Sequence, residues 1–120
     1  HQDSHAWLAE GRLDAAAPMI YWGLTDTPGE RLDFSTLLED HMVHSSERHI
    51  YAGIGGEALS MDAVIECIEE SRRQGAAGTI LFDYSLFADE LYRLGAGVYA
   101  EPASPPSMPW RTDSGVGSRP

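Results

Sequence analysis

The sequence predicts an α/β fold, with about three parallel strands and flanking helices that form part of a (β/α)8 TIM barrel, followed by an extended C-terminal tail. Three apolar, β-like segments, at 15–22, 49–55 and 78–85, each end on polar or aromatic residues and precede an amphipathic helical pattern. This order is typical of a parallel sheet. Three strands cannot close a barrel and the chain begins with His1, so we expect the remainder of the barrel upstream.

The first third of the chain predicts a helix end, a strand and a second helix. Residues 3–11 have the pattern of a helix end, with Gly11 as the residue that stops it. Pro18 lacks an N–H donor, so it should lie at the start or on the unpaired side of its strand. Turn-forming residues predict a surface loop over 23–31. Asp33 can cap the next helix. The apolar side of that helix is formed by Phe34, Leu37, Leu38 and Met42.

The middle of the chain carries the clearest helix signals. Glycines in the strand at 49–55 leave room for a close backbone approach. The next helix has Ser60 as its N-cap and Gly75 as its stop. The nearly continuous apolar strand at 78–82 is expected where both faces of a sheet are covered. A last helix is predicted over 87–94. It should be broken by Gly95 and Gly97.

The C-terminal segment differs in composition from the rest. Residues 101–120 are rich in Pro, Ser and Gly, which predicts an extended tail beside a barrel segment over 1–100. The tail should wrap the body through residues 108–110 and become disordered after Arg111.

Composition and charge exclude several classes of function. The chain has 120 residues, 42% of them apolar, which is enough for one domain or part of one. Its net charge of −11 opposes nucleic acid or an anionic membrane as a partner, because both reward clustered cations. Cys67 is the only cysteine, so an internal disulfide and a cysteine-based zinc motif are excluded. No apolar run approaches the roughly 20 residues of a membrane span.

The candidate site lies at the carboxyl ends of the strands, where the βα loops of a barrel can vary without disturbing its packed interior. Aromatic faces beside carboxylates suit a sugar, since rings stack on its C–H faces and carboxylates act as acid, base or nucleophile. The candidate catalytic residues are Asp83 and Glu57. The candidate substrate-binding residues are Tyr21, Trp22, Asp26 and Tyr84.

Each of these candidates has an alternative interpretation. Tyr21 and Trp22 can fill the barrel rim with their polar tips in water. Asp83 can cap the following helix or pair with an arginine. Glu57 can be a solvated carboxylate in a glycine-rich loop, and Asp26 can serve as an ordinary turn residue.

Other polar groups are predicted to have no chemical role. His41 and His44 have the i, i+3 spacing of metal ligands on a helix, but the sequence offers no evident third ligand, so we expect a solvated pair and no metal. Cys67 lies on or beside an apolar helix stripe, where packing is its expected role. A solvated acidic helix face is predicted for Glu66, Glu69 and Glu70.

Several segments, taken in order, resemble the C-terminal part of the glycosyl-hydrolase-like 10 family of barrel proteins. The resembling segments are WLAEGRLD at 7–14, PMIYW at 18–22, HIYAGIG at 49–55, GTILFDYS at 78–85 and PPSMPW at 105–110. The resemblance implies that the strands are the sixth, seventh and eighth of a barrel. It also implies an extracytoplasmic protein, either periplasmic, secreted or a lipoprotein, that acts on carbohydrate.

The sequence therefore favours part of a glycoside hydrolase-like barrel that acts on a polysaccharide or cell-envelope glycan and is inactive as an isolated segment. That chemistry requires no metal or organic cofactor. One alternative is a carbohydrate-binding barrel without catalysis, which would keep the aromatic wall and lack a carboxylate pair. Another is an independent α/β interaction domain, which would fold alone as a monomer instead of exposing apolar strand edges.

Overall fold

The computed structural model describes residues 2–24, 33–55 and 59–111. Its helices are α1 (Ser4–Ala9), α2 (Phe34–Val43), α3 (Met61–Arg73), α4 (Tyr84–Phe87) and α5 (Leu91–Ala96), with a 3-10 turn at Ala88–Glu90. Its strands are β1 (Ala15–Ala16), β2 (His49–Gly55) and β3 (Gly78–Phe82). The predicted Asp26 and Glu57, and the predicted disorder after Arg111, lie outside the described residues.

The strands of the described chain form one parallel sheet in the order β1-β2-β3. Ala15 pairs with His49, and β2 and β3 pair from Tyr51↔Gly78 to Gly55↔Phe82. The prediction of a parallel α/β arrangement is confirmed. Because all strands run the same way, their carboxyl ends lie at one edge of the sheet, which we call the carboxyl edge.

The first strand is shorter than the 15–22 predicted from its apolar pattern. Regular pairing stops at Ala16, and contact with β2 resumes at an isolated bridge between Met19 and Gly53. Pro18 lies between the two stretches and cannot donate a ladder hydrogen bond, which explains the interruption. Its carbonyl oxygen still accepts from the Gly53 N–H at 2.9 Å.

The residues predicted to begin and end the helices do so in the structure. Asp33 accepts a hydrogen bond from the Thr36 N–H at 2.7 Å and caps α2, and Ser60 caps α3 in the same way. Gly11 and Gly75 have φ angles of 69° and 85°, the left-handed backbone that favours glycine after a helix.

Helices α2 and α3 cover one face of the sheet. Alternate residues of β2, Ile50, Ala52 and Ile54, lie fully buried beneath them. The helix residues in the same core include Phe34, Leu38, Val64, Cys67 and Ile68. Burying such a side chain contributes roughly 1.5–3 kcal/mol, so this layer holds the sheet in place.

The opposite face of the sheet, which we call the open face, is apolar and exposed. The register places Met19, Gly53 and Ile80 side by side on it, with Phe82 two residues further along β3. Met19, Ile80 and Phe82 are 74%, 46% and 57% exposed. The expectation that both faces of the 78–82 strand are covered is therefore wrong within the described residues, because the helices cover the Thr79 and Leu81 side alone.

The helix predicted over 87–94 is divided. A short helix begins already at Tyr84, because Asp83 caps it, and a 3-10 turn separates it from α5. Gly95 lies within α5, and the helix ends only at Gly97. Phe87 and Leu94 are buried and attach this region to the core. Among the described helices, none is both long and apolar enough to cross a membrane.

The tail returns to the amino ends of β1 and β2. The Trp110 indole N–H donates to the Asp14 carboxylate at 2.8 Å, and the Arg48 guanidinium lies 4.7 Å from the Trp110 ring centroid. His49 contacts the same ring edge-on and bonds the Ser107 carbonyl oxygen at 2.8 Å. Residues 108–110 therefore contact the body as predicted, at the end of the sheet away from the carboxyl edge.

Candidate functional site

The carboxyl edge brings together aromatic residues from two strand ends that are separated by one strand. Tyr21 follows β1 and Phe82 ends β3, and their rings lie nearly parallel with centroids 6.2 Å apart. Phe82 is more than half exposed. We call this pair the aromatic platform. It offers apolar ring surface to solvent at the point where a barrel site is expected.

Two glycines of β2 make this arrangement possible. A Cβ at Gly55 would lie 2.0 Å from the Phe82 carbonyl oxygen, and one at Gly53 would lie 2.5 Å from the Pro18 carbonyl oxygen. Both distances are far below van der Waals contact. The absence of side chains at these positions lets the backbones that carry Tyr21 and Phe82 approach β2 closely, as the sequence predicted for this strand.

Asp83 directly follows the aromatic platform, and the Phe82–Asp83 peptide bond is cis. Its carboxylate accepts hydrogen bonds from the Ser85 N–H at 2.9 Å and from the Ser85 hydroxyl. These bonds lower the pKa of Asp83, chiefly through the Ser85 hydroxyl, against the opposing effect of partial burial. The carboxylate is therefore ionised at neutral pH. It also caps α4, which is one of the alternatives that the sequence left open.

The remaining aromatic candidates flank this position. Trp22 is partly exposed, and its carbonyl oxygen lies 3.9 Å from the Cys67 sulfur, which ties the end of the first strand to α3. Tyr84 begins α4 directly after Asp83 and exposes most of its side chain. Tyr21, Trp22, Asp83 and Tyr84 therefore all emerge at the same end of the sheet.

A sizeable groove along the described residues lies elsewhere. It encloses about 580 Å³ between the end of α3, the beginning of β3 and the tail. Its lining includes Ile68, Arg72, Thr79 and Tyr99. The groove adjoins the amino end of β3, so none of the candidate residues contributes to it.

A cluster of imidazoles lies on the helix layer. His5 of α1 faces the last turns of α2, where its Nε2 atom lies 3.4 Å from His41 Nδ1 and 3.7 Å from Asp40 Oδ2. His44 stacks on His5 with ring centroids 4.4 Å apart. Burial, followed by the proximity of His5, lowers the pKa of His41. The sequence paired only His41 and His44, because nothing in it indicates that α1 packs against α2 at this point.

Sequence reasoning also missed Phe82 as a surface residue. It lies within an apolar run and has the pattern of a buried strand residue. Only the register with Gly55 and the proximity of Tyr21 show that it belongs to the exposed face. The alternation of side chains along a strand could have indicated this, because it places Ile80 and Phe82 on the face of β3 opposite Leu81.

The predicted acidic face of α3 is correct for Glu66 and Glu69 and wrong for Glu70. Glu70 is buried and hydrogen-bonded, so it belongs to the packing between α2 and α3.

Comparison with family models, with curated proteins and with solved structures yields no match to this chain. These comparisons therefore give no support for or against a particular function of the aromatic platform and Asp83.

Proposed function

We propose that this chain is the C-terminal part of a (β/α) barrel and that the open face is the interior of that barrel. Its strands are parallel, and helices cover one face of the sheet. Met19, Ile80 and Phe82 present an apolar surface on the other face. Parallel sheets occur almost only with both faces covered, and further strands of a barrel would cover this one.

The proposed function is that of a glycoside hydrolase acting on a polysaccharide or cell-envelope glycan at the carboxyl edge. The observation that carries this proposal is the aromatic platform beside an ionised Asp83. A pyranose ring can lie on the exposed aromatic faces while the carboxylate reaches its ring atoms or hydroxyl groups. The family resemblance points to the same chemistry and to a location outside the cytoplasm.

The downward shift of the Asp83 pKa fits some roles of a glycosidase carboxylate better than others. An ionised group serves as nucleophile, as base or as stabiliser of an oxocarbenium-like transition state, whereas the general acid needs a raised pKa. In this proposal the general acid is another residue. Glu57 remains a candidate outside the described residues, and in the barrel proposal upstream strands supply others. A partner about 5 Å away implies retention, and one about 6.5–9.5 Å away implies inversion.

A second candidate function is glycan binding without catalysis. The observation that favours it is the engagement of Asp83 as the N-cap of α4, since a carboxylate bonded to Ser85 has a structural reason to be present. A binding protein would need the aromatic platform and no acid at catalytic distance.

Replacing Asp83 by Asn in the longest natural chain that contains these residues tests the catalytic proposal. We expect glycan cleavage, followed by release of reducing ends, to fall by at least about 100-fold, the scale of losing one acid–base group. The matched control is Asp89→Asn, on an exposed residue of the 3-10 turn. Unchanged turnover in Asp83→Asn would remove that residue from the reaction.

Binding of soluble oligosaccharides separates the two functions. Phe82→Ala should weaken binding in either case, whereas Tyr92→Ala, an exposed aromatic of α5, should not. Binding with no detectable cleavage by the unmodified protein would favour the second candidate. Equal binding by Phe82→Ala would contradict both.

The barrel proposal has its own test. Ile80→Lys should unfold or strongly destabilise the longer chain, because it buries an unpaired charge in the barrel interior. Val43→Lys, at an exposed position of α2, is the control and should be tolerated. An Ile80→Lys protein as stable as the control would show that the open face remains in solvent, as an independent domain predicts.

A further inference from the structure

The second chemically distinctive group of side chains lies between α1 and α2, away from the carboxyl edge. His5, Asp40 and His44 each offer one ligand atom, and the three atoms lie within 4.8 Å of one another. His5 lies on a helix that precedes β1, and the other two lie near the end of α2, shortly before β2 begins. The cluster is therefore on the helix layer, towards the amino ends of the strands.

The distances in this cluster are close to those between the ligands of a transition-metal ion. In a tetrahedral zinc site with bonds of about 2.0–2.1 Å, neighbouring ligand atoms lie about 3.3 Å apart. The Asp40 carboxylate lies 3.7 Å from His5 Nε2 and 3.4 Å from His44 Nδ1, through a different oxygen in each case. The His5 and His44 rings are stacked nearly parallel with centroids 4.4 Å apart, so binding one ion requires both rings to rotate until a nitrogen lone pair of each points at it.

The local backbone orients two of the three groups. Asp40 lies in α2 and His44 is the C-cap residue four positions later, whose N–H still bonds the Asp40 carbonyl oxygen, so the two side chains lie on the same side of the helix end. The Nδ1 atom of His44 also lies 2.8 Å from the Asp40 carbonyl oxygen. Binding a metal through Nδ1, the atom near the Asp40 carboxylate, requires His44 to give up this hydrogen bond, whereas binding through Nε2 would keep it.

We propose that His5, Asp40 and His44 bind one divalent transition-metal ion, with zinc as the reference ion. Two imidazoles and one carboxylate suit zinc, copper or nickel, whereas magnesium and calcium require predominantly oxygen ligands. Water completes the coordination, and His41, 3.4 Å from His5, is a neighbour able to bond it. The bound ion links α1 to α2, so its role is to hold the first helix on the body.

Titration with zinc of the metal-stripped protein, in the longest natural chain that contains these residues, tests the proposal when monitored by calorimetry. We expect one saturable zinc site per chain, a rise in Tm with zinc concentration because the ion binds the folded state, and no such rise with magnesium. His5→Gln and His44→Gln should each lower zinc affinity at least about tenfold, the scale of losing a ligand or its support.

Three further variants make the result decisive. Asp40→Asn changes an exposed side chain and should fold normally, yet it should also weaken zinc binding. His49→Gln replaces a histidine at the tail contact and His1→Gln replaces the histidine at position 1, and both variants should keep a stoichiometry of one. The proposal is overturned if zinc shows no saturable binding, if any of the three ligand variants keeps the original affinity, or if His49→Gln or His1→Gln loses it.

Discussion

Replacing Glu70 by Gln removes a buried charge from the contact between α2 and α3. The Glu70 side chain is 9% exposed and accepts four hydrogen bonds from three residues: two from the Arg73 guanidinium, at 2.6 and 2.5 Å, one from Gln74 Nε2 at 2.7 Å and one from Ser35 Oγ at 2.6 Å. Ser35 belongs to α2 and the other two donors lie in or next to α3. The carboxylate thus connects the two helices that cover the sheet.

The free energy of unfolding that the ionised Glu70 carboxylate contributes follows from its lowered pKa. The Arg73 guanidinium, with help from Gln74 and Ser35 and against the effect of burial, lowers the pKa of Glu70 from 4.5 to about 2. If this difference were expressed fully in stability, it would contribute about 3 kcal/mol at neutral pH. The Arg73 side chain is 69% exposed, and solvent screening reduces the expected value to about 2 kcal/mol.

The pH dependence has a definite sign. Because the folded pKa is below the unfolded one, the stabilisation is complete above about pH 4.5 and is lost as the pH falls towards 2. Urea unfolding near neutral pH should therefore show Glu70→Gln less stable than the unmodified chain by about 2 kcal/mol, and the difference should shrink near pH 3.

Glu66→Gln is the matched control, since it removes the same charge from an exposed position of the same helix. It should change the free energy of unfolding by less than about 0.5 kcal/mol. If Glu70→Gln and Glu66→Gln were equally stable at neutral pH, or if the loss in Glu70→Gln persisted undiminished in acid, the reasoning about this carboxylate would be wrong.

Two further predictions concern packing. Gly55→Ala should destabilise the protein by about 3 kcal/mol, because the added Cβ meets the Phe82 carbonyl oxygen. The control Gly95→Ala has no heavy atom near the added Cβ, so it should be neutral or stabilising by up to about 1 kcal/mol. Similar Tm values for the two variants would contradict the close approach of β2 and β3. Trp110→Ala should release the tail from Asp14 at a cost of about 2 kcal/mol, visible as faster proteolysis of the tail. Unchanged cleavage would mean that this contact does not hold it.

Local patterns in the sequence were sufficient for much of the fold. Helix boundaries at Asp33 and Ser60 follow from side chains that accept the N–H groups of their own first turn, an interaction that depends on only a few neighbouring residues. The strand at His49–Gly55 has the predicted bounds, because its apolar alternation and its glycines are likewise local. Parallel pairing also followed, since helices separate the strands along the chain.

Other features required knowledge of which segments meet. Asp83 and Tyr21 were selected by their position after a strand, yet their common edge and the proximity of Phe82 to Tyr21 depend on the register across β2. Glu70 has the same sequence environment as its exposed neighbours Glu66 and Glu69 and differs from them only because Ser35 lies opposite it.

The sequence by itself determined the βα order, the helix caps, the glycine positions and the acidic, cation-poor surface, because each depends on residue type and short-range spacing. Tertiary structure alone decided which face of β3 is exposed, which carboxylate is buried and which histidines meet. These depend on contacts such as that between His5 and His41, 36 residues apart, for which no local pattern exists. Burial and electrostatics are properties of such assembled neighbours, so they follow from packing and not from composition.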